Sequence, residues 1–183
     1  MKQKKLLVVS NAGPLIHLAK IGYLSLLKDL YGEIVITDEV KVETVDRGIE
    51  KGFADAFQIQ NAINDGWIKV VTLNIPDEFL NMTRIAGLKT AEAAVIYHAY
   101  KNHGLALLDE DSARTLGRTL GISIRGTLGI LLEGVEKRHL TREEALKALD
   151  RLSEIMFLSA DIYKTIRKEI EKTHFDKEKF GNS

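Results

Sequence analysis

The fold of this chain is decided by one stretch, Leu105-Ala106-Leu107-Leu108-Asp109-Glu110-Asp111-Ser112-Ala113-Arg114. Its four apolar residues predict a buried parallel strand, because strands covered on both faces form continuous apolar runs. Three acids follow where that strand would end, and a helical pattern begins directly after them. Ligands of open α/β sheets bind beyond the carboxyl ends of the strands, so these acids are placed to hold a divalent metal ion. The alternative is that they only start a helix, where the helix dipole favours negative charge.

Strands and helices alternate along the rest of the chain. Short apolar runs predict four more strands, each next to turn residues and a helical pattern, at residues 6–10, 34–36, 68–73 and 122–125. Such alternation predicts an α/β fold with a central parallel sheet, because the crossovers place helices on both faces. The 183 residues suit a single domain, in which residues 141–183 form a C-terminal helical extension opened by the capping box Thr141-Arg142-Glu143-Glu144.

Composition excludes several classes of function. The 26 basic and 26 acidic side chains balance, so the protein has no overall electrostatic field that attracts nucleic acid or an anionic membrane. Any polyanion that binds must therefore contact a local patch of positive charge. The absence of cysteine excludes disulfides, thiolate catalysis and cysteine-ligated zinc or iron-sulfur centres. The apolar run near the amino terminus is shorter than a signal peptide or membrane span, so we expect a cytoplasmic protein without a membrane partner.

Polar residues at three other places fall near the same predicted sheet edge as the acidic stretch. Asn11 follows the first strand, Glu43 lies in the helix after the second, and Glu92 opens the helix that leads into residues 105–108. Together with Asp109-Glu110-Asp111 they predict a site for Mg²⁺ or Mn²⁺, which prefer oxygen ligands, and hence phosphodiester hydrolysis. Taken singly, each has a structural interpretation, because acids favour early helical turns and asparagine favours turns.

Further residues are candidates for substrate contacts. Arg114 and Arg118 share a helix face and either grip a phosphate or are neutralised by neighbouring acids. The hydroxyl of Thr127 either contacts a ligand or caps its helix. The histidines do not have the spacing of a zinc-binding motif, so we interpret them as ordinary packing or surface residues. They are His17, His98, His103, His139 and His174.

The ordered combination of these motifs resembles the PIN-domain family, and most closely its prokaryotic branch of VapC-like ribonuclease toxins. The resemblance spans roughly residues 5–165 and rests on the segments 8–22, 36–43, 87–94, 107–114 and 126–129. It implies a Rossmann-like α/β/α sandwich in which an acidic quartet binds Mg²⁺ or Mn²⁺ and cleaves RNA, commonly as a homodimer. In toxin members a small antitoxin protein blocks this cleft.

Carried over by position, the family's first acid falls on Asn11, its second on Glu43 and its third on Glu92. The fourth falls within Asp109-Glu110-Asp111, where Asp109 and Glu110 form the family-like pair. Asn11 departs from the family's aspartate, and a neutral amide oxygen is normally a weaker partner for a hard cation. The residues therefore predict a metal-dependent ribonuclease, with a PIN protein that binds RNA or a partner without cutting as the alternative. A phosphatase of the doubly wound class ranks below both, because acids are missing directly after the first strand.

Overall fold

The computed structural model describes residues 6–173, and its centre is one sheet of five parallel strands. The strands are β1 (Val8–Ser10), β2 (Ile34–Thr37), β3 (Ile68–Val71), β4 (Leu105–Leu107) and β5 (Ser123–Arg125). Their spatial order is β3-β2-β1-β4-β5, and every neighbouring pair is parallel. The predicted α/β class with a parallel sheet between helices is confirmed.

Helices connect the strands and continue beyond the last one. Those of the first half are α1 (Ala12–Lys20), α2 (Ser25–Tyr31), α3 (Asp38–Lys41), α4 (Arg47–Glu50), α5 (Ala54–Asn64) and α6 (Asp77–Ile85). Those of the second half are α7 (Thr90–Asn102), α8 (Asp111–Thr119), α9 (Thr127–Glu136), α10 (Arg142–Ile155) and α11 (Ala160–Lys172). Within residues 6–173 none of these helices has the length and apolar character needed to cross a membrane.

The order of the strands creates a switch point between β1 and β4. The chain builds the sheet outward from β1 through β2 to β3, then returns to the other side of β1 to form β4 and β5. Val9 of β1 therefore pairs with Val35 of β2 on one side and with Ala106 of β4 on the other. Ligands of open α/β sheets bind at such a switch point, beyond the carboxyl ends of the strands. Asn11 and Asp109 follow the two strands that flank it.

The C-terminal helices belong to the same hydrophobic core as the sheet. Side chains of α10 and α11 are fully buried in the cluster that contains the strands, among them Ala145, Leu149, Leu152 and Ile170. Burying one large aliphatic side chain contributes roughly 1.5–3 kcal/mol, so the packing of these helices on the sheet is a substantial part of the fold. The predicted capping box is present, because Thr141 and Glu144 exchange hydrogen bonds between side chain and backbone.

One helix differs from the sequence prediction. A single helix was expected after β2, but a π-helical segment, Val42–Asp46, separates α3 from α4. The hydroxyl of Thr44 donates to the carbonyl of Val40, and Val40 and Val45 are both fully buried. Residues five positions apart lie on one face in the wider π-helical turn, which fits the burial of both valines. Helix α11 ends at Lys172, and residues 174–183, with His174, lie outside the described residues.

Candidate functional site

Asp109 is the best-anchored side chain at the switch point. Its Oδ1 accepts a hydrogen bond of 2.7 Å from the backbone N–H of Thr127, and its Oδ2 accepts one of 2.7 Å from the Thr127 hydroxyl. Nδ1 of His17 lies 2.9 Å from the same Oδ2. Two glycines complete the surroundings, since a Cβ on Gly13 would lie 3.0 Å from Oδ2 and one on Gly126 would lie 3.1 Å from Oδ1. The carboxylate is thus fixed between the first turns of α1 and α9.

These contacts keep Asp109 ionised. Burial by itself raises the pKa of the carboxyl group, but the hydrogen bonds from His17 and from both donors of Thr127 outweigh that effect, and the pKa is lowered. A carboxylate that is mostly buried and still charged accepts hydrogen bonds and binds cations strongly. Asp109 is therefore a negative charge fixed in position at the edge of the sheet.

Asn11 supplies an unpaired oxygen at the neighbouring strand end. Its backbone N–H donates to the carbonyl of Leu107 at 3.0 Å, which ties the end of β1 to the end of β4. The side chain is buried, and its Oδ1 has no hydrogen-bond partner among residues 6–173. The hydroxyl of Thr37, at the end of β2, is also buried and also has no hydrogen-bond partner among residues 6–173. Buried polar atoms are normally satisfied, so unpaired oxygens here indicate a place for a ligand, an ion or water.

Glu92 and Glu43 occupy different environments at this edge. Glu92 is buried in the first turn of α7, and its Oε2 accepts a hydrogen bond of 2.7 Å from the backbone N–H of Lys89. Glu92 thus stabilises a helix start, which leaves its Oε1 for another contact. Glu43 is exposed and lies in the π-helical segment. Single π-helical turns are rare and often occur at functional sites, which keeps Glu43 a candidate.

The remaining charged candidates lie on or beside α8. Glu110 precedes the helix and Asp111 begins it, and both are exposed. Arg114 is half-buried, its Nη1 lies 3.9 Å from Oδ1 of Asp111, and its buried Nε has no partner among the described residues. Arg118, one turn later, is exposed. Of the two arginines on this face, Arg114 is the one that the structure places next to Asp109.

Two side chains act differently from the sequence interpretation. His17 was interpreted as an ordinary packing or surface residue, but it contacts Asp109, 92 positions along the chain. Thr127 was expected either to contact a ligand or to cap its helix; capping is wrong, because Gly126 is the capping residue and the Thr127 hydroxyl donates to Asp109. The missed signal for His17 is its position one turn after Gly13, the residue whose missing Cβ admits Asp109.

A groove leads away from Asp109 toward the C-terminal helices. Its volume is about 690 Å³, and the charged side chains in its lining are Asp109, Asp111, Arg114, Arg125 and Asp161. The rest is mainly apolar and includes Ile124, Leu128, Leu132, Met156, Leu158 and Ile166. Phe157, in the break between α10 and α11, is fully exposed at its edge. The groove is large enough for more than one nucleotide unit or for a short protein segment.

A buried carboxylate lies behind the groove, on α9. Glu133 accepts a hydrogen bond of 2.6 Å from the Tyr31 hydroxyl and pairs with Lys137 at 2.7 Å and with Arg125 at 3.3 Å. Burial raises the pKa of Glu133, but the hydrogen bonds from Lys137 and Tyr31 and the charge of Arg125 lower it overall. This network fixes Arg125, whose side chain also lines the groove.

The residues at the switch point fit one hydrated divalent ion. Mg²⁺ keeps several waters and takes one or two carboxylates, and Asp109 and Asn11, which follow the adjacent strands β4 and β1, offer a fixed negative charge and an oxygen without a partner among residues 6–173. In the part of the chain that the structure describes, no three His, Asp or Glu side chains lie close enough to share an ion. The convergence of Glu43, Glu92 and Asp109-Glu110-Asp111 on a metal therefore stays a prediction.

Comparison with known proteins agrees with this architecture. Searches of the curated proteins and of the solved structures each found no significant match. The family model DUF3368, described as a PIN domain, matches residues 7–172. This match covers the sheet, the switch point and the C-terminal helices α10 and α11. Because it spans most of the chain, the protein belongs to the PIN-domain family.

Proposed function

We propose that this protein is a metal-dependent endoribonuclease that hydrolyses RNA phosphodiester bonds with Mg²⁺ or Mn²⁺. PIN domains are typically nucleases and generally use divalent metal ions, which supports the coarser part of the proposal. The observation that carries it is that a fixed, ionised Asp109 and Asn11, whose Oδ1 has no partner among residues 6–173, follow the two strands that flank the switch point. A site built only from oxygen donors suits a hard cation.

The residues have separate roles in this proposal. Asp109 and Asn11 would hold the ion, and Glu43, Glu92, Glu110 and Asp111 would add negative charge around its water ligands. When bound, the ion would activate a water molecule and polarise the phosphodiester. Arg114, whose Nε is buried without a partner among the described residues, would pair with a phosphate oxygen beside Asp109. Arg118 and the hydroxyl of Thr127 remain proposed substrate contacts, although the Thr127 hydroxyl already donates to Asp109.

The groove supports RNA as the substrate class. Arg114 and Arg125 in its lining suit the phosphate backbone, although Asp111 and Asp161 line it as well, and its apolar side chains suit unpaired bases. Bases without a pairing partner commonly stack on aromatic side chains, and Phe157 is fully exposed at the groove edge. The arrangement favours a single-stranded segment that passes Asp109 and continues toward Phe157.

We also propose a toxin role of the VapC-like kind, with a small antitoxin protein and a second copy of the chain as partners. Phe157 and Ile162 are exposed beside an apolar groove that ends at Asp109, so a protein segment bound there would cover the proposed site. Induced expression of the wild-type chain should stop bacterial growth, whereas the Asp109→Ala variant should not. Growth arrest by both chains at equal protein level would contradict the toxin role.

A specific observation favours a second candidate, a PIN protein that binds RNA or a partner without cutting it. Asn11 removes one negative charge from the site, and no three acids share an ion-sized space within residues 6–173. This candidate predicts that binding remains when cleavage is absent. The Asp109→Ala, Glu92→Ala and Asn11→Asp variants of the cleavage experiment described next separate the two functions.

The deciding experiment is cleavage of a mixed RNA pool by purified protein with Mg²⁺, Mn²⁺ or EDTA. The Asp109→Ala and Glu92→Ala variants should lose cleavage, the exposed-surface control Glu154→Ala should keep it, and Asn11→Asp should increase it because it restores a charged ligand. Cutting that survives both site substitutions would identify a contaminating nuclease. Cleavage absent from the wild type but gained by Asn11→Asp would favour the binding-only function.

A further inference from the structure

We propose that His17 is a positioning residue: its Nδ1–H donates to Oδ2 of Asp109 and holds that carboxylate in the orientation that receives a cation on Oδ1. The inference rests on the proposed function in that Asp109 is taken as a metal ligand. It assigns His17 no contact with metal or RNA. Its basis is the set of contacts around one carboxylate.

The direction of the hydrogen bond follows from a count of protons. Both oxygens of Asp109 accept from Thr127, which is the pattern of an ionised carboxylate, and such a group can only accept. The single hydroxyl proton of Thr127 is donated to Oδ2 at 2.7 Å, so it is not available to His17. With Nδ1 only 2.9 Å from Oδ2, a bare ring nitrogen would place two lone pairs against each other. The neutral His17 imidazole must therefore carry its proton on Nδ1 and leave Nε2 without one.

The same count shows what the hydrogen bond leaves free. A carboxylate offers about four acceptor positions. Among residues 6–173, Oδ2 accepts from Thr127 and His17, whereas Oδ1 accepts from the Thr127 backbone N–H alone. One acceptor position therefore remains on Oδ1, on the oxygen that does not face His17. A cation or its water ligand can bind there without displacing an existing contact.

His17 and the Thr127 hydroxyl hold Asp109 through side chains, whereas its other neighbours are backbone. Gly13 and Gly126 approach Asp109 with backbone, and Thr127 also holds it with its own backbone N–H, so these contacts cannot move without shifting a helix start. His17 approaches with a side chain from the last turn of α1, and about a fifth of that side chain is exposed. Its loss would leave Oδ2 with the Thr127 hydroxyl and would weaken the hold on the orientation of the carboxylate. Side chains that orient a metal ligand typically change metal affinity by about 10–100-fold when they are mutated.

The first test reads the proton on His17 directly, in the metal-free protein. Two-bond ¹H–¹⁵N correlation spectra, recorded at a pH where the imidazole is neutral, should show the proton on Nδ1, and Asp109→Asn should abolish this preference. A proton on Nε2 in the wild type would overturn the proposal. Because no metal or RNA is present, this result does not depend on whether the protein cuts RNA.

The second test uses variants matched in geometry. His17→Asn places an amide N–H where Nδ1 was, whereas His17→Gln carries it one bond further and His17→Leu has no donor. Mn²⁺ titration should give an affinity close to wild type for His17→Asn and about 10–100-fold weaker for His17→Leu, with His17→Gln near His17→Leu. His103→Asn, on a surface helix end, is the control and should change nothing.

The outcomes separate the inference from the proposed function. Equal Mn²⁺ affinity in wild type, His17→Asn and His17→Leu, with Asp109→Ala weakened, would overturn the positioning role and leave the metal site intact. Mn²⁺ affinity that Asp109→Ala does not weaken would overturn the proposed function instead. Parallel loss of affinity and of unfolding free energy in all three His17 variants would show that His17 only packs.

Discussion

Thr127 binds Asp109 twice, through its backbone N–H and through its hydroxyl, each at 2.7 Å. The two donors come from the first residue of α9 and reach the two oxygens of a carboxylate that follows β4. The contact therefore joins the ends of adjacent strands β4 and β5 at the edge where the switch point lies.

Thr127→Val should destabilise the fold by about 1.5–3 kcal/mol, because it removes a hydrogen bond to a charged, mostly buried acceptor and keeps the shape of the side chain. Urea denaturation measures the change. Thr119→Val is the matched control, since that hydroxyl donates to the Thr115 carbonyl on an exposed face, and it should change stability by less than about 0.5 kcal/mol. Equal losses in the two variants would contradict a special role for Thr127.

The stabilising effect of Asp109 should depend on pH. The carboxyl pKa is lowered in the folded protein, so its contribution is fully present above the unfolded pKa of about 3.9 and is lost as the pH falls through the lower folded value. Asp109→Asn should therefore cost most stability near neutral pH, and the difference from wild type should shrink below about pH 4. Urea denaturation between pH 3 and pH 7 measures both proteins. A constant difference across that range would show that the Asp109 charge does not stabilise the fold.

Gly48 is a packing position next to the π-helical segment. A Cβ at Gly48 would lie 2.5 Å from the Cβ of Ala56 on α5, closer than two carbon atoms can pack. Gly48→Ala should cost about 1–3 kcal/mol, as overpacked cores do. The double variant Gly48→Ala with Ala56→Gly removes the clash and should recover part of that loss. If the double variant loses more unfolding free energy than the two single variants lose together, the close contact is not the cause of the loss in Gly48→Ala.

The hydroxyl of Tyr31 should contribute to stability through Glu133. Burial and the nearby Glu133 carboxylate raise the pKa of the Tyr31 phenol, so it stays a proton donor across the whole neutral range. Tyr31→Phe should cost about 1.5–3 kcal/mol, because it leaves Glu133 with Lys137 and Arg125 alone. Thermal or urea unfolding measures the change, and Tyr100→Phe, at a half-exposed ring, serves as the control. A larger loss from Tyr100→Phe would contradict the network.

The strand pattern was readable from sequence because each buried parallel strand is a short apolar run between turn residues. The residues 105–108 predicted β4 to within one position. The parallel sheet then followed from the alternation of strands and helices. Local spacing was sufficient here because burial on both faces is a local requirement.

The contacts of the site were less accessible to sequence reasoning. The hydrogen bond between His17 and Asp109 joins residues 92 positions apart, and no rule of sequence spacing predicts a contact between residues so far apart in the chain. Nor does apolar periodicity predict the widened turn around Glu43, because the five-residue interval between Val40 and Val45 also fits an irregular α-helix. Sequence placed Glu92 in a first helical turn, and the structure adds that its carboxylate accepts from the Lys89 backbone.

The central position of β1 has a consequence for the order in which the candidate site forms. β1 leaves the ribosome well before its partner β4, which is encoded almost a hundred residues later, with Val8 paired to Leu105. Pairing across such a separation is slow, and synthesis delivers the chain from its amino terminus. Asp109 in turn obtains two of its donors only when Thr127 has emerged. A nascent chain that stops before this residue lacks both donors, so an incomplete translation product would not hold the Asp109 carboxylate in place.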